Sequence, residues 1–338
     1  MFTYVFLICF FLFTPLFAAC PSADPFLRNI PLLIPEGGVV NTLNDKFFTF
    51  NSPQFKTDDF GDAVVVWRTF DGTRQVLQVA TKQNGEDWIF PGDPRFPNNN
   101  LNYFMFPIEA DEFTVDMDRV GNIVVVWLVF NGWHKVVQAA FKPAGGGDWI
   151  FPGNNTSPLL SDPRQPTNNL SYFDFSINTL PQVSIESGVV AITWEVFNGT
   201  NNVAQVAFKY PEADFRLPGD PRQQNHVLSP FFFNLVSPPQ VAVDLCGNIA
   251  VTWKIYNRIK NVVQLSTKPF GLTTNFSKPG DPRFLPNVAF PFPTQPQCEL
   301  IGIDSFSIKN GQVFIFWTLF DGTRNLLQAA TIALDPCF

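Results

Sequence analysis

Carboxylates recur at one position of a repeated pattern in this sequence. Asp58, Asp118, Glu186 and Asp244 each stand at the end of the predicted first strand of their copy, and Lys309 takes the same position in the fifth copy. Several carboxylate oxygens around one axis would suit a hard cation, which prefers oxygen ligands. An Asp at this point is also typical of a tight turn, where its side chain accepts hydrogen bonds from backbone amides. The pattern therefore predicts either ligand-binding carboxylates around a channel, with room for a cation, or turn-capping residues.

A second candidate site is Trp133 with its neighbour His134, between two apolar runs of the second copy. A Trp that is exposed on such a loop can stack on a sugar ring, because the indole offers a large flat apolar surface with one polar N–H. We therefore predict Trp133 and His134 as ligand-binding residues, with local packing as the alternative. The equivalent loop positions of the other copies are Thr73, Thr200, Ile259 and Thr323.

Catalytic chemistry has little material in this chain. His134 and His226 are the only histidines, so a triad with a histidine base or a zinc site with several histidines is not expected. A glycoside hydrolase needs only two unlike carboxylates, whereas the carboxylates here recur with the repeat. We predict no catalytic residues, no metal-ligand set and no cofactor apart from the cation considered above.

The elements that position these residues form a fivefold repeat of roughly 60 residues. Each copy has an apolar run that ends in Trp, an aromatic residue three positions later, an Asp or Asn after it, and a Gln eleven positions after the Trp. The Asn-Gly and Asp-Gly pairs predict hairpins, because both residue types accept the positive φ of such turns. We expect the five Trp, which are Trp67, Trp127, Trp194, Trp253 and Trp317, in the core between blades. We expect the five Gln to bond backbone groups within the blades; they are Gln78, Gln138, Gln205, Gln264 and Gln328.

Each copy is interpreted as one blade of antiparallel strands. The central run, such as 123–127, is apolar at successive positions, so both faces of that strand must be buried. A Phe-rich segment, such as 101–106 or 171–175, is expected to form a fourth strand after a recurring Asp-Pro-Arg corner. Four strands per unit and sheets covered on both faces predict an all-β, five-bladed β-propeller. The last copy ends after its third strand, so we expect an N-terminal strand near 41–50 to complete it and close the ring.

Composition agrees with this fold and narrows the partners. The 338 residues are 46% hydrophobic and 15% charged, with 39 Phe and 30 Pro. The net charge of −7 makes nucleic acid an unsuitable partner, because that binding requires Lys and Arg to neutralise phosphates. We expect a monomer that binds carbohydrate or protein.

The first 19 residues are uncharged and apolar and end in Ala-Ala, which predicts a secretory signal peptide. Residues 20–338 then form the single propeller domain. An uncleaved membrane anchor and a lipidated Cys20 remain alternatives. Cys20, Cys246, Cys298 and Cys337 stay after cleavage. We favour a disulfide between Cys20 and Cys337, with Cys298 to Cys337 as the bond if Cys20 is lipidated and Cys246 as a free thiol in a further alternative.

The motif Asp-x-x-Gly-Asn, apolar run, Trp, Asn-Gly and Gln-Ala-Ala resembles a repeat of exported bacterial β-propeller repeat proteins. The resemblance covers nearly all of residues 53–332. It implies the propeller fold and export to the periplasm, the cell surface or the medium, and no single activity. We therefore expect a non-catalytic binding module for carbohydrate or protein at the cell envelope or outside the cell. The alternatives are a structural or assembly scaffold, and an enzyme similar to glycoside hydrolases.

Overall fold

The structure is a computed structural model that describes residues 51–103, 105–108, 112–153, 156–177, 179–271, 275–284, 288 and 299–334. All of these residues belong to the unit 49–338. The predicted signal peptide 1–19, the predicted closing strand near 41–50, Cys20 and Cys337 lie outside the described residues. The signal peptide, the closing strand and the disulfide between Cys20 and Cys337 therefore stay predictions.

Fifteen strands form five three-stranded antiparallel sheets in the order of the sequence. In each sheet the second strand is central, the first strand pairs with it on one side and the third strand on the other. The strands are β1 Asn51–Thr57, β2 Ala63–Phe70 and β3 Gln75–Lys82 in sheet 1; β4 Phe113–Met117, β5 Ile123–Phe130 and β6 Lys135–Lys142 in sheet 2; β7 Gln182–Glu186, β8 Val189–Phe197 and β9 Asn202–Lys209 in sheet 3; β10 Gln240–Val243, β11 Ile249–Tyr256 and β12 Asn261–Lys268 in sheet 4; and β13 Glu299–Lys309, β14 Gln312–Phe320 and β15 Asn325–Ala333 in sheet 5.

The helical elements of the described residues are four short 3-10 helices. They follow the third strands of sheets 1, 2 and 3. Their bounds are Pro97–Asn99, Pro158–Leu160, Pro166–Asn168 and Gln224–His226.

The sheets pack face to face in sequence, with the first strand of each sheet beside the first strand of the next. Val64 and Val66 on one face of β2 share a core with Trp127 and Val125 of β5. The opposite face of β5 shares a core with Trp194 of β8. The central strands of sheets 2, 3 and 4 are therefore buried on both faces, as their apolar runs predict.

The Trp and Gln repeat has a structural explanation in the strand register. Each repeat Trp lies directly opposite the repeat Gln of the third strand, as Trp127 opposes Gln138 and Trp253 opposes Gln264. In both pairs the Trp Nε1 donates to the Gln Oε1 over 3.3 Å. All five Trp are buried, so their predicted role in the core is confirmed.

The predicted fourth strand is wrong in the segments 101–106 and 171–175. Leu101 N donates to Leu77 O (2.8 Å), which is a backbone bond. The other bond to Leu77 involves a side chain, since Asn102 Oδ1 accepts from Leu77 N (2.7 Å). An amide oxygen here replaces the backbone carbonyl that a strand would supply, and the chain then turns at Tyr103, whose O accepts from Phe106 N (3.2 Å). The equivalent side-chain bonds join Ser171 Oγ to Val137 N and Ser229 Oγ to Ala204 N.

The hairpins between second and third strands are confirmed, including the one that departs from the repeat. Gly132 adopts φ +102° at its tip, and Arg258 adopts φ +76° at the position where sheet 4 lacks a glycine. The Asn257 Oδ1 accepts from Ile259 N (3.0 Å) and Lys260 N (2.9 Å). These side-chain bonds hold the turn, so the arginine is forced into the left-handed region that glycine occupies elsewhere.

None of the described residues covers one face of sheet 5. Trp317 and Ile315 of β14 pack toward sheet 4, whereas Leu327 on the other face is 69% exposed and Phe316 is 37% exposed. The equivalent residue to Leu327 in sheet 1, Leu77, is fully buried. The described residues therefore form a row of five packed sheets that ends in an apolar face.

Candidate functional site

The row of sheets has two edges that carry the predicted site residues. We call the end where first strands turn into second strands the turn edge, and the opposite end, where second strands turn into third strands, the hairpin edge. The carboxylates of the repeat lie on the turn edge. Trp133 and His134 lie on the hairpin edge.

Asp118 and Asp244 have both carboxylate oxygens in hydrogen bonds. Asp118 Oδ1 accepts from Val120 N (3.1 Å) and Asn122 N (2.8 Å). Its Oδ2 accepts from Asn122 Nδ2 (2.7 Å) and from Gly188 N of sheet 3 (2.8 Å). The four donors hold the turn and join it to the next sheet, so this carboxylate has a structural role.

Asp244 of sheet 4 repeats this arrangement with sheet 5. Its Oδ1 accepts from Cys246 N and Asn248 N (both 2.9 Å). Its Oδ2 accepts from Asn248 Nδ2 (3.0 Å) and from Gly311 N of sheet 5 (3.0 Å). A ligand-binding role for Asp118 and Asp244 stays a prediction beside this structural one.

Asp58 is the incomplete member of the set. Its Oδ1 accepts from the amides of Phe60 (2.9 Å), Gly61 and Asp62 (2.8 Å each). Its Oδ2 is buried and has no hydrogen-bond partner among the described residues. The turns of Asp118 and Asp244 have an Asn that donates to this oxygen, whereas the turn of Asp58 has a carboxylate, Asp62, at that position. A glycine amide of the next sheet is not available either, because Gly121 N donates to Asp118 O (3.1 Å).

Glu186 belongs to a different kind of turn. It ends β7 before the two-residue turn Ser187-Gly188, and Arg119 Nε of sheet 2 lies 3.2 Å from its Oε1. Burial raises the pKa of Glu186, and Arg119 opposes that change. Lys309, the equivalent residue of sheet 5, is exposed. Among the described residues, no group of three or more His, Cys, Asp or Glu side chains is arranged to hold a metal ion.

Trp133 is exposed, as the sequence predicts. Its side chain is 73% exposed at the tip of the β5–β6 hairpin. The backbone amides of Trp133 and His134 donate to Asn131 Oδ1 over 3.0 and 2.8 Å, so the tip has a fixed backbone. His134 is half-buried beside it.

Further aromatic rings are exposed on the same edge. They are the last residues of the second strands in sheets 1 to 4, one position before each hairpin turn. An aromatic ring thus recurs in register along the hairpin edge. These residues are Phe70, Phe130, Phe197 and Tyr256.

The repeat Gln residues hold the loops that follow the third strands. Gln205 Nε2 donates to Gly219 O (2.9 Å) and His226 O (3.1 Å). Gln78 and Gln138 make the equivalent pairs of bonds in sheets 1 and 2. The predicted structural role of these three Gln is therefore confirmed.

The Asp and the Arg of each Asp-Pro-Arg corner form an ion pair. Arg222 Nε lies 3.0 Å from both carboxylate oxygens of Asp220, and this bond lowers the pKa of Asp220. The guanidinium of Arg222 also lies 5.1 Å from the ring centre of Phe175, in the loop before sheet 3. The other pairs are Asp93–Arg95, Asp162–Arg164 and Asp281–Arg283.

A cavity that the sequence reasoning missed lies between sheets 3 and 4. It has a volume of about 530 Å³ and is lined by Phe208, Arg216 and His226 from sheet 3 and its loops and by Phe276 and Lys278 from the loop after β12. The signal in the sequence was a departure from the repeat, because Ile89 and Asn99 stand at the positions of Arg216 and His226 in the first copy.

Cys246 is the one cysteine among the described residues, and it is disulfide-bonded. This excludes the alternative of a free thiol at Cys246. The described residues contain no helix that is long and apolar enough to cross a membrane.

No protein-family model and no curated protein matches the chain. Among solved structures, the polysaccharide lyase Uly1 is 13% identical with a TM-score of 0.44, and the match covers 85% of this chain and 59% of the lyase. The six-bladed β-propeller lectin of Aleuria aurantia is 11% identical with a TM-score of 0.36, covering 87% of this chain and 81% of the lectin. The arabinofuranosidase PaAbf62A of Podospora anserina is 9% identical with a TM-score of 0.30, covering 86% and 92%. Similarities this low carry no argument about fold or function.

Proposed function

We propose that this protein is an exported, non-catalytic module that binds carbohydrate through the hairpin edge. The observation that carries the proposal is the exposure of Trp133 at a hairpin tip where three of the other four copies have Thr. An exposed Trp costs solubility without helping the fold, so a ligand that covers it gives the residue a purpose.

The hairpin edge supplies more than one ring. Phe130 lies in the same hairpin as Trp133, and Phe197 and Tyr256 occupy the equivalent positions of the next two sheets. A row of aromatic faces suits an extended ligand with repeated apolar ring faces, which is the chemistry of a polysaccharide. The fixed backbone of the tip reduces the ordering cost of binding.

A non-catalytic role agrees with the way the turn-edge carboxylates are used. Asp118 and Asp244 accept four hydrogen bonds each. A general acid or a nucleophile needs an oxygen that can reach the substrate. These two side chains serve the turns and the contacts between sheets instead.

The five sheets close into a five-bladed ring in this proposal. Leu327 and Phe316 support closure, because they are exposed on a face of sheet 5. The corresponding face of each earlier sheet packs on the next sheet. The ring would hold the hairpin ends of all five sheets on one surface.

A scaffold that binds another protein is the second candidate function. Phe232 favours it, because its side chain is exposed at the outer side of sheet 3 next to Phe231 and Phe233. Large exposed apolar groups mark partner surfaces. In this case a protein, rather than a glycan, would cover the edge.

A glycan array with the purified mature protein tests the first candidate. The informative variant is Trp133→Thr, which installs the residue of the other copies and should leave the fold intact. Thr200→Ala in the equivalent hairpin of sheet 3 is the matched control. We expect W133T to lose binding by about tenfold or more, the scale of one stacked aromatic side chain, and T200A to retain it. Unchanged glycan binding by W133T would overturn this site, and the absence of any glycan ligand would favour the scaffold.

A further inference from the structure

The cavity between sheets 3 and 4 differs from the equivalent groove between sheets 1 and 2 in size. The groove between sheets 1 and 2 has a volume of about 180 Å³, against about 530 Å³ for the cavity. Small-molecule sites are commonly about 300 to 1,000 Å³. Only the larger of the two is in the range that accommodates a sugar unit.

The two grooves also differ in chemistry at equivalent positions. Lys278 stands at the position that Phe151 occupies in the second copy, where that ring is buried in the core between sheets 1 and 2. Arg216 stands where Ile150 does, and His226 stands where Asn168 does. Three departures from the repeat therefore meet in one cavity. Since the repeat residues already satisfy the fold elsewhere, these departures need another explanation.

Lys278 and His226 of the cavity are held in place by backbone carbonyl groups. Lys278 Nζ donates to Gln224 O (3.0 Å) and Asn225 O (2.8 Å), across the gap between the two sheets. An ammonium group has three protons, so one remains for a ligand. The His226 Nδ1 lies 3.2 Å from Asp220 O, which orients the imidazole ring.

Two aromatic rings complete the wall. The centres of Phe208 and Phe276 lie 5.8 Å apart with the ring planes at 73°, so the cavity has an apolar part beside its polar groups. Lys268 Nζ lies 5.2 Å from the centre of the Phe208 ring and adds positive charge behind it. No Asp or Glu is among the residues that line the cavity.

We propose that this cavity is a binding site for an acidic sugar, a pyranose ring that carries a carboxylate. Arg216 and Lys278 take the carboxylate, Phe208 and Phe276 take the apolar face of the ring, and His226 with Asn225 bonds to hydroxyl groups. The site is separate from Trp133, and it does not require the hairpin edge to bind glycans.

The test uses the full mature protein and isothermal titration with D-glucuronate, D-glucose and inorganic phosphate as probes. We expect glucuronate to bind with a Kd of about 1 mM or tighter, the scale for a ligand of this size. Glucose, which lacks the charge, should bind at least about tenfold more weakly, because a hydrogen bond to a charged group accounts for that difference. Phosphate should also bind more weakly, because it offers no ring face.

The variants introduce residues that other copies have at the same positions, so we expect them to fold. Lys278→Phe and Arg216→Ile take the residues of positions 151 and 150, and each should weaken glucuronate binding by about tenfold to a hundredfold. Lys278→Gln removes the charge at nearly equal size if K278F unfolds, as judged by circular dichroism. Thr200→Ala, on the hairpin edge and not among the residues that line the cavity, is the control and should bind glucuronate like the wild type.

Three results would overturn the proposal. The first is no glucuronate binding by the folded wild-type protein at millimolar concentrations. The second is equal affinity for glucuronate and glucose, or for glucuronate and phosphate. The third is unchanged glucuronate binding by folded K278F, K278Q or R216I. Failure of glycan binding at Trp133 with retained glucuronate binding would instead overturn only the hairpin-edge proposal.

Discussion

Replacing Asp62 by Asn should stabilise the protein. Asp58 Oδ2 is buried without a partner among the described residues, whereas the equivalent oxygen of Asp118 accepts from Asn122 Nδ2 over 2.7 Å. Asn at position 62 can supply the same donor. The hydrogen bond from the Asn84 amide to Asp62 Oδ1 is also kept in the variant. An Asn Oδ1 accepts such a bond equally well, as Asn122 Oδ1 does from Ala144 N (2.9 Å).

The expected gain follows from the one bond that forms. A hydrogen bond to a charged group contributes about 1.5 to 3 kcal/mol, and an unsatisfied buried oxygen costs about 1 to 3 kcal/mol. Because Asp58 is only half-buried, we take the lower part of that range, about 1 to 2 kcal/mol. For a domain of roughly 300 residues the melting temperature should rise by about 1.5 to 3 °C.

Urea unfolding and calorimetry measure this difference, and two variants serve as controls. Asp62→Ala removes the acceptor of the Asn84 amide and supplies no donor, so it should destabilise by about 1 kcal/mol. Asn122→Asp removes one of the two donors to Asp118 Oδ2 and places two carboxylates together in sheet 2, so it should destabilise by about 1 to 3 kcal/mol.

Salt separates the hydrogen bond from simple charge repulsion between Asp58 and Asp62. In 1 M NaCl the screening length is about 3 Å, so repulsion between these partly exposed groups weakens while the hydrogen bond stays. The gain of D62N should therefore persist for the most part at high salt. A gain that vanishes in 1 M NaCl, or no gain at all, would refute the reasoning.

Two further predictions concern the open face and a buried cation. Leu327→Asp should lower the free energy of unfolding by about 3 kcal/mol or more if the ring closes over sheet 5. It should lower it by under about 0.5 kcal/mol if the face stays in water. Urea unfolding measures the difference, with Leu160→Asp at an exposed position as the control. Burial, with Arg216 nearby, lowers the pKa of Lys268 to about 8, against roughly 10.4 in the unfolded chain. The unfolded state thus binds more protons between these values, so the free energy of unfolding should rise by up to about 1.4 kcal/mol per pH unit from pH 8 to 10. Lys268→Met should lack that rise, and an identical pH profile for both proteins would contradict the lowered pKa.

The sequence was sufficient for the elements that the repeat encodes. The spacing from Trp127 to Gln138 predicted two paired strands, and the hairpin between them follows from Asn131-Gly132. These features are local, since one turn fixes the register of the two strands that it joins. The exposure of Trp133 was predictable from the same hairpin, because three of the other four copies place a Thr there.

The parts that were missed depend on side chains that replace backbone. Asn102 resembles the start of a strand in sequence, but its side chain bonds to Leu77 N and ends the pairing. Likewise Asp58 and Asp118 look equivalent in the repeat. Only the structure shows that Asp118 receives Gly188 N from the next sheet while Asp58 does not. The cavity between sheets 3 and 4 escaped notice because its residues, Arg216 and Lys278, are far apart in the chain.

Protection of Trp133 by a glycan is the most direct test of the proposed function. Trp133 is the one exposed Trp among the described residues, so acrylamide quenching of the emission that is lost in Trp133→Phe reports on this residue alone. A glycan that binds on the array should reduce the quenching of this component and leave the remaining emission unchanged. Bound glycan with unaltered quenching of Trp133 would contradict the claim that the hairpin edge is the binding surface.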